Sequence, residues 1–500
     1  MQLFILALVL GVATHDAMVG FLPDLPLDEK WLVVYFITPK LLIGLAYAMA
    51  CRITLKRLGR RRGPRLLLRL DRLTTLYRIL ILVLFAADLI LGVLVFTRHL
   101  VGRFLIGGGS NNPVIVDEIL FLLPPLILLS WGWWVYYPID RRLREASLIR
   151  RIDSGKPVHA MWTRSQYLVC QIRHQIALIL VPLLFLMAWS ELVELFMPAR
   201  LQNLNMDLRP CVQLAGAMGI FLLAPVMIRH IWDTVPLPDG DLRCRLTEMC
   251  RRHHVEVREL LLWRTFGGMI NAAVMGLIRP LRFILLTDAL LEQLPRAQVE
   301  AVMAHELAHI RKHHTFWLLA VALVLIISLF QTTLTITHTL AHWFVVESNR
   351  FQIVGDALAL LGNPDFQHAV AFGVSSGCWF PLFGWVSRRL ERQADTFAVQ
   401  HLVAEDHEAP VEEDARQIDA ASVTIMADAL QRVAQLNHIP VRRHSWRHGS
   451  IAWRQNYLRS VTGQPVDQLK INCQIGWIKA VTMAGAVVLI VLNGWSLGRV

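Results

Sequence analysis

His305, Glu306 and His309 stand in the order His-Glu-x-x-His, with Leu307 and Ala308 between. On a helix, positions i and i+4 share a face, so both imidazoles can reach one metal ion. Glu306 follows the first histidine directly, where a carboxylate can act as general base on a metal-activated water. A hydrolytic zinc site needs three protein ligands and an open position for water. Glu391, in the run Glu391-Arg392-Gln393-Ala394-Asp395, is the candidate third ligand. Asp395 lies four residues on, shares that helix face and can hold the second nitrogen of a ligand histidine. One Zn2+ ion per chain is expected. His448 and Arg454 are candidates to stabilise a tetrahedral oxyanion. His313 and His314 are expected to continue the motif helix and turn off the ligand face or approach the membrane surface.

The elements that must position these groups are legible as patterns. Residues 242–256 read as an amphipathic helix, and residues 257–263, 271–276 and 281–287 as strands punctuated by glycine and proline. Asp288 is expected to cap a short helix starting near Ala289, and Pro295 to open the motif helix. On that helix Val299, Val302, Met303 and Leu307 can pack on the sheet. An exposed edge strand carrying Asn271 and Ala272 could pair with a substrate backbone, as peptides do when they extend a sheet. The seven acids between Glu405 and Asp419 read as a solvated connector, followed by a helix over about 420–436 that packs on the catalytic unit.

The remainder of the chain suits a bilayer. Its 500 residues are 55% hydrophobic and 18% charged, with mean hydropathy +0.46. That balance excludes an ordinary soluble enzyme and predicts a mainly α, polytopic transmembrane protein with one embedded soluble region, which the motifs above make a small α+β zinc-metalloprotease domain. Candidate spans are 1–20, 31–51, 77–97, 119–139, 176–196, 211–231, 316–337, 366–386 and 475–495. The predicted organisation is an N-terminal membrane array over 1–231, a metalloprotease region over 232–473 interrupted by two spans, and a final span over 474–500. Arginine-rich loops at 52–72 and 141–156 predict a cytoplasmic location for both, and counting spans then puts both metal motifs on that side. The net charge of +12 is carried in such loops, and no nucleic-acid module accompanies it. The seven cysteines are scattered, with no Cys-x-x-Cys pair. Among ionisable residues within spans, Asp88 lies mid-span, where it either lines a polar cavity or pairs locally.

The chain resembles the membrane zinc metallopeptidases that include the CaaX prenyl protease and the HtpX heat-shock protease. The resemblance rests on Asn271-Ala272, on Leu285 to Leu291, on Ala304 to His309 and on Ser387 to Ala398, in that order. It implies zinc, His305, His309 and Glu391 as ligands, Glu306 as base, Asn271 on the substrate strand, and His448 and Arg454 in a late His-Pro…Arg element. It also implies endoproteolysis of membrane-associated or prenylated polypeptides at a cytoplasm-facing site. The expected function is a zinc endopeptidase acting on membrane-associated or misfolded proteins, in a bacterial-type cytoplasmic membrane. Gly449 stands where that family usually has proline, and the N-terminal array is longer than in HtpX. Two other readings compete. A BlaR-like signalling protease would share His-Glu-x-x-His after N-terminal spans, but would carry a sensor domain beyond the last one. A non-catalytic metal-binding scaffold would not need Glu306.

Overall fold

Apolar runs of twenty or so residues must become helices in lipid, where a backbone has no water to bond. The computed structural model describes residues 29–58, 64–91, 116–153, 161–196, 208–348, 363–406 and 417–497, except 267, 268, 438 and 467, with isolated positions elsewhere. Eight helices among the described residues are long and apolar enough to cross a membrane, and the chain is a polytopic integral membrane protein. The candidate span at 1–20 and most of the acidic run lie outside the described residues. The chain divides into two compact units, Met1–Asp233 and Thr234–Val500.

The first unit contains α1 (Glu29–Leu58), α2 (Pro64–Ile90), α3 (Val116–Asp153), α4 (Arg164–Gln171), a π-helical turn over Ile172–Ala177, α5 (Leu178–Phe196) and α6 (Arg209–Ile231). Five of the eight apolar helices are here. The span expected at 77–97 is displaced, and the apolar window is Arg69–Ile90. The helix starts at Pro64, inside the segment read as a basic loop. Long arginine side chains can reach the interface from a first helical turn, so hydropathy alone places such a start too late. Tyr47 and Tyr77 stack at 4.2 Å between centroids. Gly132 makes room for this pair, since a Cβ there would lie 2.8 Å from Tyr77. Asp88 pairs locally: its carboxylate lies 2.8 Å from the Lys40 ammonium, and both side chains are buried. A lone charge buried among these helices would be costly, and the pair offsets part of that cost while linking α1 to α2.

The second unit surrounds a four-stranded sheet. Its strands are β1 (Thr234–Pro236), β2 (Glu259–Trp263), β3 (Ala272–Met275) and β4 (Phe283–Thr287), in the order β1-β2-β4-β3. β2 and β4 run parallel, and the outer pairs are antiparallel. Every residue of β4 is buried, as a continuous apolar run in a central strand should be. The helices are α7 (Asp241–Arg252), α8 (Asp288–Gln293), α9 (Arg296–Arg311), α10 (His314–Ser348), α11 (Pro364–Asp406), α12 (Ala420–Leu436), α13 (Ile451–Ser460) and α14 (Lys470–Leu497). The motif helix α9 packs against β3, α11 and α12. Its buried residues include Val299, Met303, Ala304 and Leu307, which join the core with Ile284 and Leu286 of β4. The cap of α8 is Thr287 rather than Asp288: the Thr287 hydroxyl accepts from Leu290 N at 3.3 Å. Asp288 instead accepts from Thr265 Oγ1 and Phe266 N, both at 2.6 Å, and pins the loop before β3. Asp419, counted in the acidic connector, caps α12 by accepting from Ser422 N at 2.7 Å.

Candidate metal centre

Two helices meet over the edge strand. α9 carries His305, Glu306 and His309, and α11 carries Glu391 and Asp395; the spacing of four puts His305 with His309, and Glu391 with Asp395, on one face. One donor atom each from His305, His309 and Glu391 falls within 4.8 Å of the others. The two imidazole Nε2 atoms are 3.3 Å apart, and Glu391 oxygens lie 3.6 Å from His305 Nε2 and 3.9 Å from His309 Nε2. Ligands bound tetrahedrally at about 2.0–2.1 Å stand roughly 3.3 Å from one another, so this spacing fits zinc.

The surrounding groups decide what those nitrogens can do. His305 Nδ1 faces Asp395 Oδ1 at 3.0 Å, though poorly aligned for a hydrogen bond. An N–H there leaves Nε2 with its lone pair. His309 Nδ1 lies 3.0 Å from a ring nitrogen of His314. Burial holds His309 well below its ordinary value, hence neutral. A cation between the two Nε2 atoms would give a partner to a lone pair on each ring at this spacing. Glu306, Glu391 and Asp395, when ionised, carry three negative charges against the single guanidinium of Arg454, which leaves two to balance. The donor set, its spacing and its charge all suit one divalent ion of borderline softness.

Glu306 follows His305 on α9, and its carboxylate accepts from the backbone N–H of Val274 on β3. Burial pushes its carboxyl up to about 7, partly offset by His305. A base in that range suits proton transfer near neutral pH.

The late element reaches the site in a different way from the one expected. Arg454 is buried and donates from Nε to Asp395 at 2.7 Å, with Nη1 3.4 Å from Glu391 Oε2. Its guanidinium is committed to holding two carboxylates, so its geometry is that of a brace for α11 and not of a free oxyanion donor. His448 lies on the other oxygen of Glu391, Nδ1 to Oε1 2.9 Å, with a side chain 52% exposed. Gly449 explains the departure from proline after that histidine. Its φ is +74°, which proline cannot adopt, and its N–H donates to Ser445 O at 2.9 Å.

Asn271 is exposed and Ala272 buried, both at the start of edge strand β3. Asn271 N donates to the Thr287 hydroxyl at 3.0 Å, which fixes the strand's entry. Asn437, at the end of α12, braces the residue before it: its amide bonds both Ile270 N and Ile270 O, at 3.0 and 2.7 Å. Nothing local in the sequence links these positions, which are 167 residues apart.

His314 overturns its expected placement. It is completely buried and packs against His309, with ring centroids 4.9 Å apart. α9 ends at Arg311, and His313 adopts φ +55° before α10 begins. On an unbroken helix a residue at i+5 would face away from His309. The break returns it to the same face, and no glycine or proline marks that break in the sequence.

Residues 236–416 match the model for peptidase family M48. The CAAX prenyl protease 1 homolog of Arabidopsis thaliana is 30% identical over 196 residues, covering 38% of this chain. The match spans 44% of that relative, under half its length. The crystal structure of S. mikatae Ste24p aligns with TM-score 0.46 and 15% identity, over 87% of this chain and 100% of that one.

Proposed function

We propose that this chain, whose residues 236–416 match the model for peptidase family M48, is an integral membrane zinc-dependent endopeptidase. The observation that carries the reading is the convergence of His305, His309 and Glu391 donors within 4.8 Å, beside the raised carboxyl of Glu306. A bound Zn2+ would supply Lewis acidity and a water of lowered pKa.

The chain's own groups do the rest. Glu306 takes the proton from the attacking water and returns it to the leaving amine. Asp395 orients His305, and Arg454 holds Asp395 and Glu391 in place. His448, the exposed group at Glu391, is positioned to meet the developing oxyanion. Asn271 and Ala272 lie on edge strand β3, which has a free side on which an extended polypeptide can add as a further strand. The substrate is a membrane-associated polypeptide, and the Arabidopsis relative's name adds a prenylated C-terminus to the classes worth testing. The arginine-rich segments at 52–72 and 141–156 support a cytoplasm-facing site, as in a bacterial-type cytoplasmic membrane. In this reading residues 1–231 are the N-terminal membrane array, 232–473 the catalytic region interrupted by two spans, and 474–500 a terminal span.

The test compares the purified chain with Glu306→Gln on unfolded casein and on farnesylated and unmodified C-terminal peptides. Cleavage by the wild type alone supports the reading. Cleavage by neither, with zinc bound, contradicts it.

A further inference from the structure

Resting on the zinc reading above, we propose that His314, Gln393 and Asn472 form a hydrogen-bonded chain that sets the tautomer and orientation of ligand His309. The chain of contacts is continuous. His309 Nδ1 lies 3.0 Å from His314 Nδ1, and His314 Nε2 lies 2.9 Å from Gln393 Oε1. Gln393 Nε2 donates to Asn472 Oδ1 at 2.7 Å. His314 is 0% exposed and Gln393 6%, so the bond between them is shielded from water, while the two outer contacts are part-buried. Asn472 belongs to the first turn of α14, the last membrane helix, so a residue 163 positions beyond His309 reaches that ligand through two intervening side chains.

The direction of donation follows from elementary bonding rules. An amide oxygen only accepts, so His314 Nε2 carries the hydrogen. A neutral imidazole has one N–H, and His314 contacts no carboxylate in this chain of bonds, so its Nδ1 is the acceptor. His309 Nδ1 must then donate, which leaves His309 Nε2 with a lone pair 3.3 Å from His305 Nε2. The opposite sense of the chain, with both amides turned over, would place a hydrogen on His309 Nε2 and remove a ligand. Only one of the two senses makes a metal site. Asn472 sits at the end that selects between them.

The two ligand histidines are thus oriented by unlike means. His305 faces a carboxylate that is itself paired with arginine. His309 faces a neutral relay. The arrangement also gives Gln393 a task within the motif on α11, and makes His314, Gln393 and Asn472 positioning residues.

The experiment measures zinc affinity of the full-length chain in detergent by competition with a chelating indicator. The variants are His314→Leu, His314→Gln, Asn472→Ala and Asn472→Asp, with thermal unfolding of each zinc-free protein as the control for folding. His314→Leu fills the space without either bond and should weaken zinc binding about 10–100-fold. His314→Gln offers both an acceptor and a donor and should stay within a few-fold of wild type. Asn472→Ala should weaken binding several-fold, whereas Asn472→Asp, which can only accept, should bind at least as tightly as wild type. Wild-type affinity in His314→Leu or Asn472→Ala overturns the relay. So does equal loss in His314→Gln and His314→Leu, which would mean that ring packing is what matters. If His314→Leu does not fold, the two Asn472 variants decide. A wild-type chain that binds no zinc overturns the underlying reading instead.

Discussion

Burial holds the Glu306 carboxyl up at about 7 against an ordinary 4.5. Between those values the folded, metal-free chain binds a proton that the unfolded chain releases, so stability falls as pH rises across that window. Glu306→Gln removes the effect. In the zinc-free protein it should be more stable than wild type at pH 8, by on the order of 2 kcal/mol, and equal to it near pH 4. Thermal unfolding at the two pH values checks this, and unchanged unfolding at both would contradict it. The same variant should retain zinc and lose hydrolysis by several orders of magnitude, measured on the substrates above. His305 with His309 and Glu391 with Asp395 were legible in the sequence because helical spacing puts each pair on one face, and Glu306 because it directly follows the first histidine of the motif. His314 was not. Its position depends on one residue with positive φ, and that conformation has no signature at His313.

At the level of elements, the strands could be read to within one or two residues because apolar runs and glycine punctuation bounded them. β1 escaped notice, since three residues ending in Pro236 show no alternation. The pairing of α11 with α13 was equally invisible, because it depends on Arg454 and Asp395 meeting across 59 residues. That pair carries a prediction. Arg454→Leu leaves Asp395 buried without its partner and should cost about 3–5 kcal/mol in chemical denaturation. Combining it with Asp395→Leu should recover most of the stability while zinc affinity stays low, because His305 has then lost its orienting carboxylate. Equal stability of the single and double variants would contradict the brace. The loop carrying His448 gives a second test. Gly449→Pro, which restores the family's usual residue, should lower both stability and activity here, since φ +74° and the Ser445 bond are both lost. An active, stable Gly449→Pro protein would show that the loop takes another conformation.

For the whole molecule, the sequence settled membrane residence, because eight long apolar helices leave little alternative. It did not show how individual helices are held together inside the bilayer. Asp88 could be read only as a charge within a span, and its partner Lys40, 48 residues away in the sequence, lies 2.8 Å from it in the structure. The proposed sidedness is argued from the arginine-rich segments and has its own prediction. All seven cysteines are free, and Cys244 and Cys473 are exposed. Single-cysteine proteins retaining either one should react with a membrane-impermeant maleimide in inverted vesicles and not in intact cells. Labelling of either from outside the cell would reverse the assigned orientation.

The proposed chemistry requires one cation between α9 and α11. Zinc K-edge absorption spectroscopy on the purified full-length chain measures this directly. We expect one zinc per chain, with two imidazole nitrogens and carboxylate or water oxygens at about 2.0–2.2 Å, and loss of that signal in Glu391→Ala. A spectrum dominated by sulfur at about 2.3 Å, or one unchanged by Glu391→Ala, would place the metal elsewhere and contradict the account.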